Sequence, residues 1–155
     1  FKEKMSSTKS TETKKAVNSN VAIDDLKNFL KKHMAKDFRR GKMTDEKIED
    51  DYIDVIEAIE DGLLVFDDKN KPTYTLRYPL FGNAEDKSLM VTEVTFRSRI
   101  KEADKSILMD GLDIKKQLGT YTIKYISYIT QLSMTEVKEL EKEDFDVLNQ
   151  ICSVF

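Results

Sequence analysis

The sequence predicts an α+β fold with N-terminal helices, a small three-stranded antiparallel sheet (a hairpin plus one strand) and a C-terminal helical bundle. Three observations predict it. Apolar residues recur in steps of three and four from Ile23 to Met34 and again from Ile48 to Ile59, which is the spacing of one helix face. Directly after Gly62 the period changes to two and stays there to Arg97. From Ile100 the helical spacing returns, with a fresh helix start at Ser133.

Residues 1–20 hold five lysines, two glutamates and only four apolar residues, Phe1, Met5, Ala16 and Val17. Such a stretch buries too little surface to offset the ~1–2 kcal/mol per residue that ordering its backbone costs, so it reads as a flexible polar tail. Residues 21–61 read as a helical extension. In its first half Ile23, Leu26, Leu30 and Met34 share a face with Phe29 beside them, and His33 lies at the margin. The basic residues Lys36, Arg39, Arg40 and Lys42 follow, around Gly41. Thr44 is placed as an N-cap, with Asp45 and Glu46 in the first turn where the helix dipole favours negative charge. Ile48, Tyr52, Val55, Ile56 and Ile59 form the next stripe, and Gly62 stands where a C′ glycine stops a helix. Glu49, Asp50, Asp51, Asp54, Glu57, Glu60 and Asp61 read as its solvated face, since they lack the loop of a calcium site.

Residues 62–155 read as an α+β domain. Leu63 to Phe66, the turn-rich Asp67 to Pro72, and Thr73 to Leu80 predict a hairpin. Met90 to Arg97 predicts a third strand after the polar connection from Gly82 to Ser88. Ile100, Ala103, Ile107 and Leu108 predict a short helix ending near Gly111, and Leu112, Ile114 and Leu118 a second short piece. Tyr121 to Leu132 is the most apolar stretch. Ser133-Met134-Thr135-Glu136 is a capping box, and Phe145, Leu148, Ile151, Cys152 and Phe155 mark a final helix. The acids from Glu136 to Asp146, Asp144 among them, read as its polar surroundings.

Scarce residues bound the chemistry. The 155 residues contain one cysteine, one histidine, five glycines and two prolines. Several-thiolate zinc sites and multi-histidine sites are thereby excluded, and no glycine-rich phosphate cradle is present. Cys152 sits at a core-like helix position, where a thiol behaves as a small hydrophobe rather than a nucleophile. We therefore expect no catalytic site, no metal and no cofactor. With 26 basic against 29 acidic residues, net −3, a broad nucleic-acid footprint is not expected. The one basic concentration outside the tail (Lys27, Lys31, Lys32, Lys36, Arg39 and Arg40) lacks interleaved stacking aromatics. No apolar run approaches the ~18 residues of a membrane span, and no apolar leader opens the chain, so a soluble intracellular protein is expected.

What remains is surface for protein. Tyr121, Tyr125 and Tyr128 accompany Ile123, Ile126 and Ile129 in one helix. A helix apolar on more than one face is either deep core or a docking surface, and a second copy of the chain would also cover it.

Short strings within residues 62–155 add to this reading. Tyr78-Pro79-Leu80 ends the hairpin, Phe96-Arg97 closes the third strand, and Asp104 follows. Thr130-Gln131-Leu132-Ser133, Glu136-Val137, Leu140, Asp144 and Phe155 complete the series. In these the chain resembles the tail assembly chaperones of long-tailed bacteriophages, in the branch found in contractile-tailed phages. Arg99 stands where that branch usually has proline, and Gln131 where it has glycine. Residues 21–61 lie outside the resemblance. It implies a small non-catalytic α+β protein of the host bacterial cytoplasm, absent from the finished virion. Its partner would be the tape measure protein, with the tail tube protein and a second copy as further partners. Covering apolar partner helices removes surface from water at about 25 cal/mol per Å². On this reading Ile123, Ile126, Ile129, Leu148, Ile151 and Phe155 meet the partner; in the alternative they are core. A structural or adaptor subunit that adds strands at the hairpin edges is the second reading, and a nucleic-acid binder using the helix at 23–40 the third.

Overall fold

The computed structural model describes residues 16–80, 90–113 and 115–155. The expected tail falls mostly outside them, and its boundary moves, because helix α1 (Ser19–His33) begins before residue 20. Asn18 starts it by accepting a hydrogen bond from the Asn20 N–H at 2.8 Å, the N-cap role suited to a short polar side chain. Ala22, Leu26, Phe29 and Leu30 form its buried face. A short helix α2 (Ala35–Arg39) follows, and Gly41 turns the chain at a φ of +68°.

Helix α3 (Asp45–Asp51) opens as expected: Thr44 Oγ1 accepts from the Lys47 N–H at 3.2 Å. The single stripe from Ile48 to Ile59 is carried by two helices, because the backbone departs from helical geometry at Tyr52 before α4 (Ile53–Glu60). Hydrogen bonds from Tyr52 to Ile48 and from Ile56 to Tyr52 bridge the break, so the stripe stays continuous and buried. Gly62, at φ +77°, ends α4 in a Schellman motif. Its N–H bonds the Ile59 carbonyl and that of Leu63 bonds Ala58.

The sheet has the order β1-β2-β3, all antiparallel: β1 (Leu64–Phe66), β2 (Pro72–Leu80) and β3 (Val91–Thr95). Asp67 builds the hairpin turn, its Oδ1 accepting from the N–H groups of Lys69 and Lys71 at 2.8 Å each. Leu64 pairs with Tyr74, and Tyr74 with Val94, so three buried side chains line up across the dry face. The expected connection from Gly82 to Ser88 lies outside the described residues.

Four helices complete the chain: α5 (Glu102–Met109), α6 (Leu118–Thr130), α7 (Met134–Glu139) and α8 (Lys142–Cys152). Leu112 follows α5 outside any helix, Ile114 lies outside the described residues, and Leu118 opens α6. The capping box at Ser133 forms in full, with Ser133 N–H to Glu136 at 2.9 Å and Glu136 N–H to Ser133 at 3.1 Å. Among the described residues no helix is long and apolar enough to cross a membrane.

The core is one cluster that draws on α1, α3, α4, the sheet, α6 and α8. Residues 21–61 are therefore part of the same packed body, not an appendage to it. One cross-link shows how tightly. Tyr52 gives α4 no side-chain cap, and Gln150 of α8 supplies it from across the core. Its Oε1 accepts from the N–H groups of Asp54 at 3.0 Å and Val55 at 3.2 Å, while its Nε2 donates to Asp54 Oδ2 at 2.6 Å.

Asp144, grouped in the sequence with the polar acids from Glu136 to Asp146, stands apart from them in the structure. It lies in the first turn of α8, fully buried. Its Oδ1 accepts from the Tyr74 hydroxyl at 2.6 Å and the Arg77 N–H at 2.9 Å, and its Oδ2 from the Tyr78 N–H at 3.1 Å. Burial first, and then this hydrogen bond, push the Tyr74 phenol well above its ordinary pKa. Outside the clamp, the Arg77 guanidinium pairs with Asp61 and lies 3.9 Å from both Glu57 and Glu143. Part of the α4 acidic face thus has a structural duty. Removing the Asp144 carboxyl orphans three donors at about 1–3 kcal/mol for each one buried, so Asp144→Ala should cost ~3 kcal/mol or more, against ~1–2 kcal/mol for Tyr74→Phe. Urea midpoints of the two variants and their double mutant check this, and the double mutant should fall short of the sum.

Candidate partner-binding face

The six residues expected to meet a partner separate into two groups. Ile126 and Ile129 of α6, and Leu148 and Ile151 of α8, are fully buried. In the folded chain they are core and cannot reach a partner, which corrects the expectation for these four. The reason is the integration of the N-terminal helices: α4 packs on α8, and α1 packs on α4, so the three-stranded sheet does not cover these helices alone. Ile123 and Phe155 are half-buried against the core. The Phe155 ring sits in an aromatic group, 5.8 Å from Phe29, 5.0 Å from His33 and 6.1 Å from Phe96 between ring centroids.

What stays outside is a different apolar set. Helix α5 has no buried residue, and Ile107 and Met109 on it are 70% and 42% exposed. Leu118, at the start of α6, is 59% exposed. A cleft of about 310 Å³ between the two helices is lined by Ile107, Leu108, Lys124, Ser127, Tyr128 and Met134. A second of about 250 Å³ lies on another side of α6, where Leu118, Tyr121, Tyr125 and Phe155 supply the apolar wall and Lys105 and Asn149 the polar rim. Tyr121 and Tyr125 stack at 6.0 Å, and burial pushes the Tyr125 phenol up to about 12.

Tyr128 fastens α5 to this face. Arg97 lies over its ring at 4.5 Å and donates from Nε to its carbonyl oxygen at 2.7 Å. The Asp104 carboxylate, more than burial, raises the Tyr128 phenol above its ordinary pKa. Arg97 and Asp104 come from the short strings noted in the sequence, and the fold brings both to one tyrosine.

Sequence periodicity missed Ile107 as an outward residue by placing it on the inner stripe. A signal was available: Ile107, Leu108 and Met109 are consecutive and sweep about 200° of a helix, so they cannot all face inward.

The titratable candidates are occupied structurally. Cys152 is buried, and burial pushes its thiol far above the ordinary range, away from the thiolate that nucleophilic chemistry uses. Among the described residues no three His, Cys, Asp or Glu side chains gather to hold a metal. The basic concentration is spread over local contacts: Lys27 pairs with Asp45, Lys31 lies over Phe38, and Lys32 donates to the Lys69 carbonyl at 2.8 Å. The chain matches no family model, no curated protein and no solved structure.

His33 gives a direct test of this packing. Burial first, then the charges of Lys32 and Arg99, hold its pKa below 6.5. Between the folded value and 6.5 the unfolded chain binds more protons, so this contribution to stability is complete above about pH 6.5 and is lost as pH falls through the folded value. A His33→Gln variant should lose that part of the pH dependence. Urea midpoints measured across the same interval, beside wild type, check it.

Proposed function

We propose that this chain is a non-catalytic holder of an apolar helical partner, and specifically a phage tail assembly chaperone for the tape measure protein. The observation that carries the reading is the outward apolar surface of α5 and the start of α6, with a cleft on either side. A groove beside an exposed apolar helix is what an amphipathic segment needs to bury its own apolar stripe. The resemblance of residues 62–155 to that chaperone family supports the choice of partner. The docking residues on this reading are Ile107, Met109 and Leu118 with half-buried Ile123, Tyr125 and Phe155, replacing the four that are core.

The chemistry suits a temporary companion. A few exposed side chains at about 25 cal/mol per Å² give modest affinity per contact, and many copies along a long partner give retention through multivalency. Such a chaperone acts in the host cytoplasm, leaves before the tail is complete, and meets the tail tube protein only as that protein displaces it. A retained structural or adaptor subunit is the second reading, favoured by the edge position of β1, where Val65 is 54% exposed.

Co-expression with a candidate tape measure protein tests the proposal. The partner should become soluble and co-purify, and Ile107→Asp with Leu118→Asp should abolish this at unchanged urea midpoint, since both side chains are already exposed. A partner equally insoluble with and without the chain would overturn the chaperone reading. Co-sedimentation with finished particles would favour the second.

A further inference from the structure

A third cleft, of about 260 Å³, lies at the end of α1 and shares Phe155 with the cleft lined by Leu118 and Tyr125. Two elements far apart in sequence make it. The last turn of α1 contributes Lys32 and His33, and the segment after β3 contributes Ser98, Arg99 and Ile100, with Val154 and Phe155 from the end of the chain. Among the described residues no side chain lining it is acidic. Lys32 and His33 have an ordinary reason to be there, because basic side chains favour the negative end of a helix dipole. Arg99 does not share it. It arrives from the other element, close enough for its charge to act on His33, and among the described residues it has neither a hydrogen bond nor an ion pair.

Like charges gathered at one cleft repel, and an anion between them relieves the repulsion. The nearest carboxyl group whose influence is visible is Asp67, which feels Lys32 from the hairpin turn. Its Oδ1 is already taken by the N–H groups of Lys69 and Lys71. Lys32 spends one of its three protons on the Lys69 carbonyl and keeps two. The wall behind these donors is apolar, with Phe155 edge-on to His33 and stacked on Phe96.

We propose that this cleft binds an oxyanion, carboxylate or phosphate, carried on an apolar body. Arg99 and Lys32 hold the anion, the Ser98 hydroxyl donates to it, and Ile100, Val154 and Phe155 cover the apolar part. Both cations are on the surface, so affinity is in the millimolar range, about 4 kcal/mol in all.

The single histidine makes the test specific, since its ring resonances report this cleft alone. The intact chain is titrated by NMR with phenyl phosphate, benzoate, inorganic phosphate and the neutral benzyl alcohol. Phenyl phosphate and benzoate should give saturable shifts and raise the His33 pKa, because an anion favours the imidazolium. Whichever of the two binds tighter names the anion. Inorganic phosphate should bind more weakly, lacking the apolar part. Arg99→Gln, at an exposed position, should leave the fold intact and weaken binding about tenfold. Equal shifts with benzyl alcohol, no saturation with either anion, or an unchanged affinity in Arg99→Gln would each overturn the proposal.

Discussion

Asp144 joins the last helix to the middle strand through three hydrogen bonds, and it does so from inside the core. A carboxyl group in that position has to be satisfied completely, because an unpaired polar atom away from water costs more than the bond returns. That requirement fixes where β2 passes the start of α8, and it fixes the rotation of Tyr74, whose ring is the central member of the row Leu64, Tyr74 and Val94. The row places β1 and β3 on either side. On the other flank, Gln150 of the same helix caps α4. Helix α8 is thus held by directional bonds at both ends, and its apolar residues between them fill the space those bonds define.

Such directional bonds explain which parts of the fold were legible in the sequence. The Thr44 cap, the Gly62 stop, the Asp67 turn and the Ser133 capping box each depend on residues a few positions apart, and each forms as read. Asp144 was opaque because its partners stand 66 to 70 residues away. In the sequence it is one more acid among Glu141, Glu143 and Asp146. The interruption at Tyr52 was opaque for a related reason, since its cap comes from Gln150, 95 and 96 positions distant.

The binding face was less legible than the fold, and the cause is general. Periodicity identifies an apolar face but not the body that covers it. The sequence leaves Ile126, Ile129, Leu148 and Ile151 as either partner-facing or core, and the outcome depends on what residues 21–61 cover. With α1 and α4 inside the same core, the chain has enough cover of its own, and the stripe is used at home. Ile107 tells the opposite story. Its segment reads as an ordinary amphipathic helix, and yet Ile107 is 70% exposed.

The division between a sealed core and an open helix has a physical logic for a protein that must hold and release. Helix α5 buries none of its residues and packs on α6, where Asp104 acts on Tyr128 and Arg97 lies over the same ring. An element with so few buried contacts belongs to the low end of local stability, where small changes in position cost little. A partner helix docking there can draw α5 into a better-packed arrangement without disturbing the Asp144 clamp or the Gln150 cap. The apolar gain on docking is then set against little lost packing, and dissociation returns α5 to a state the folded chain already tolerates. Binding through the buried stripe would instead require α6 or α8 to leave the core, a step that breaks the bonds on which the whole sheet depends.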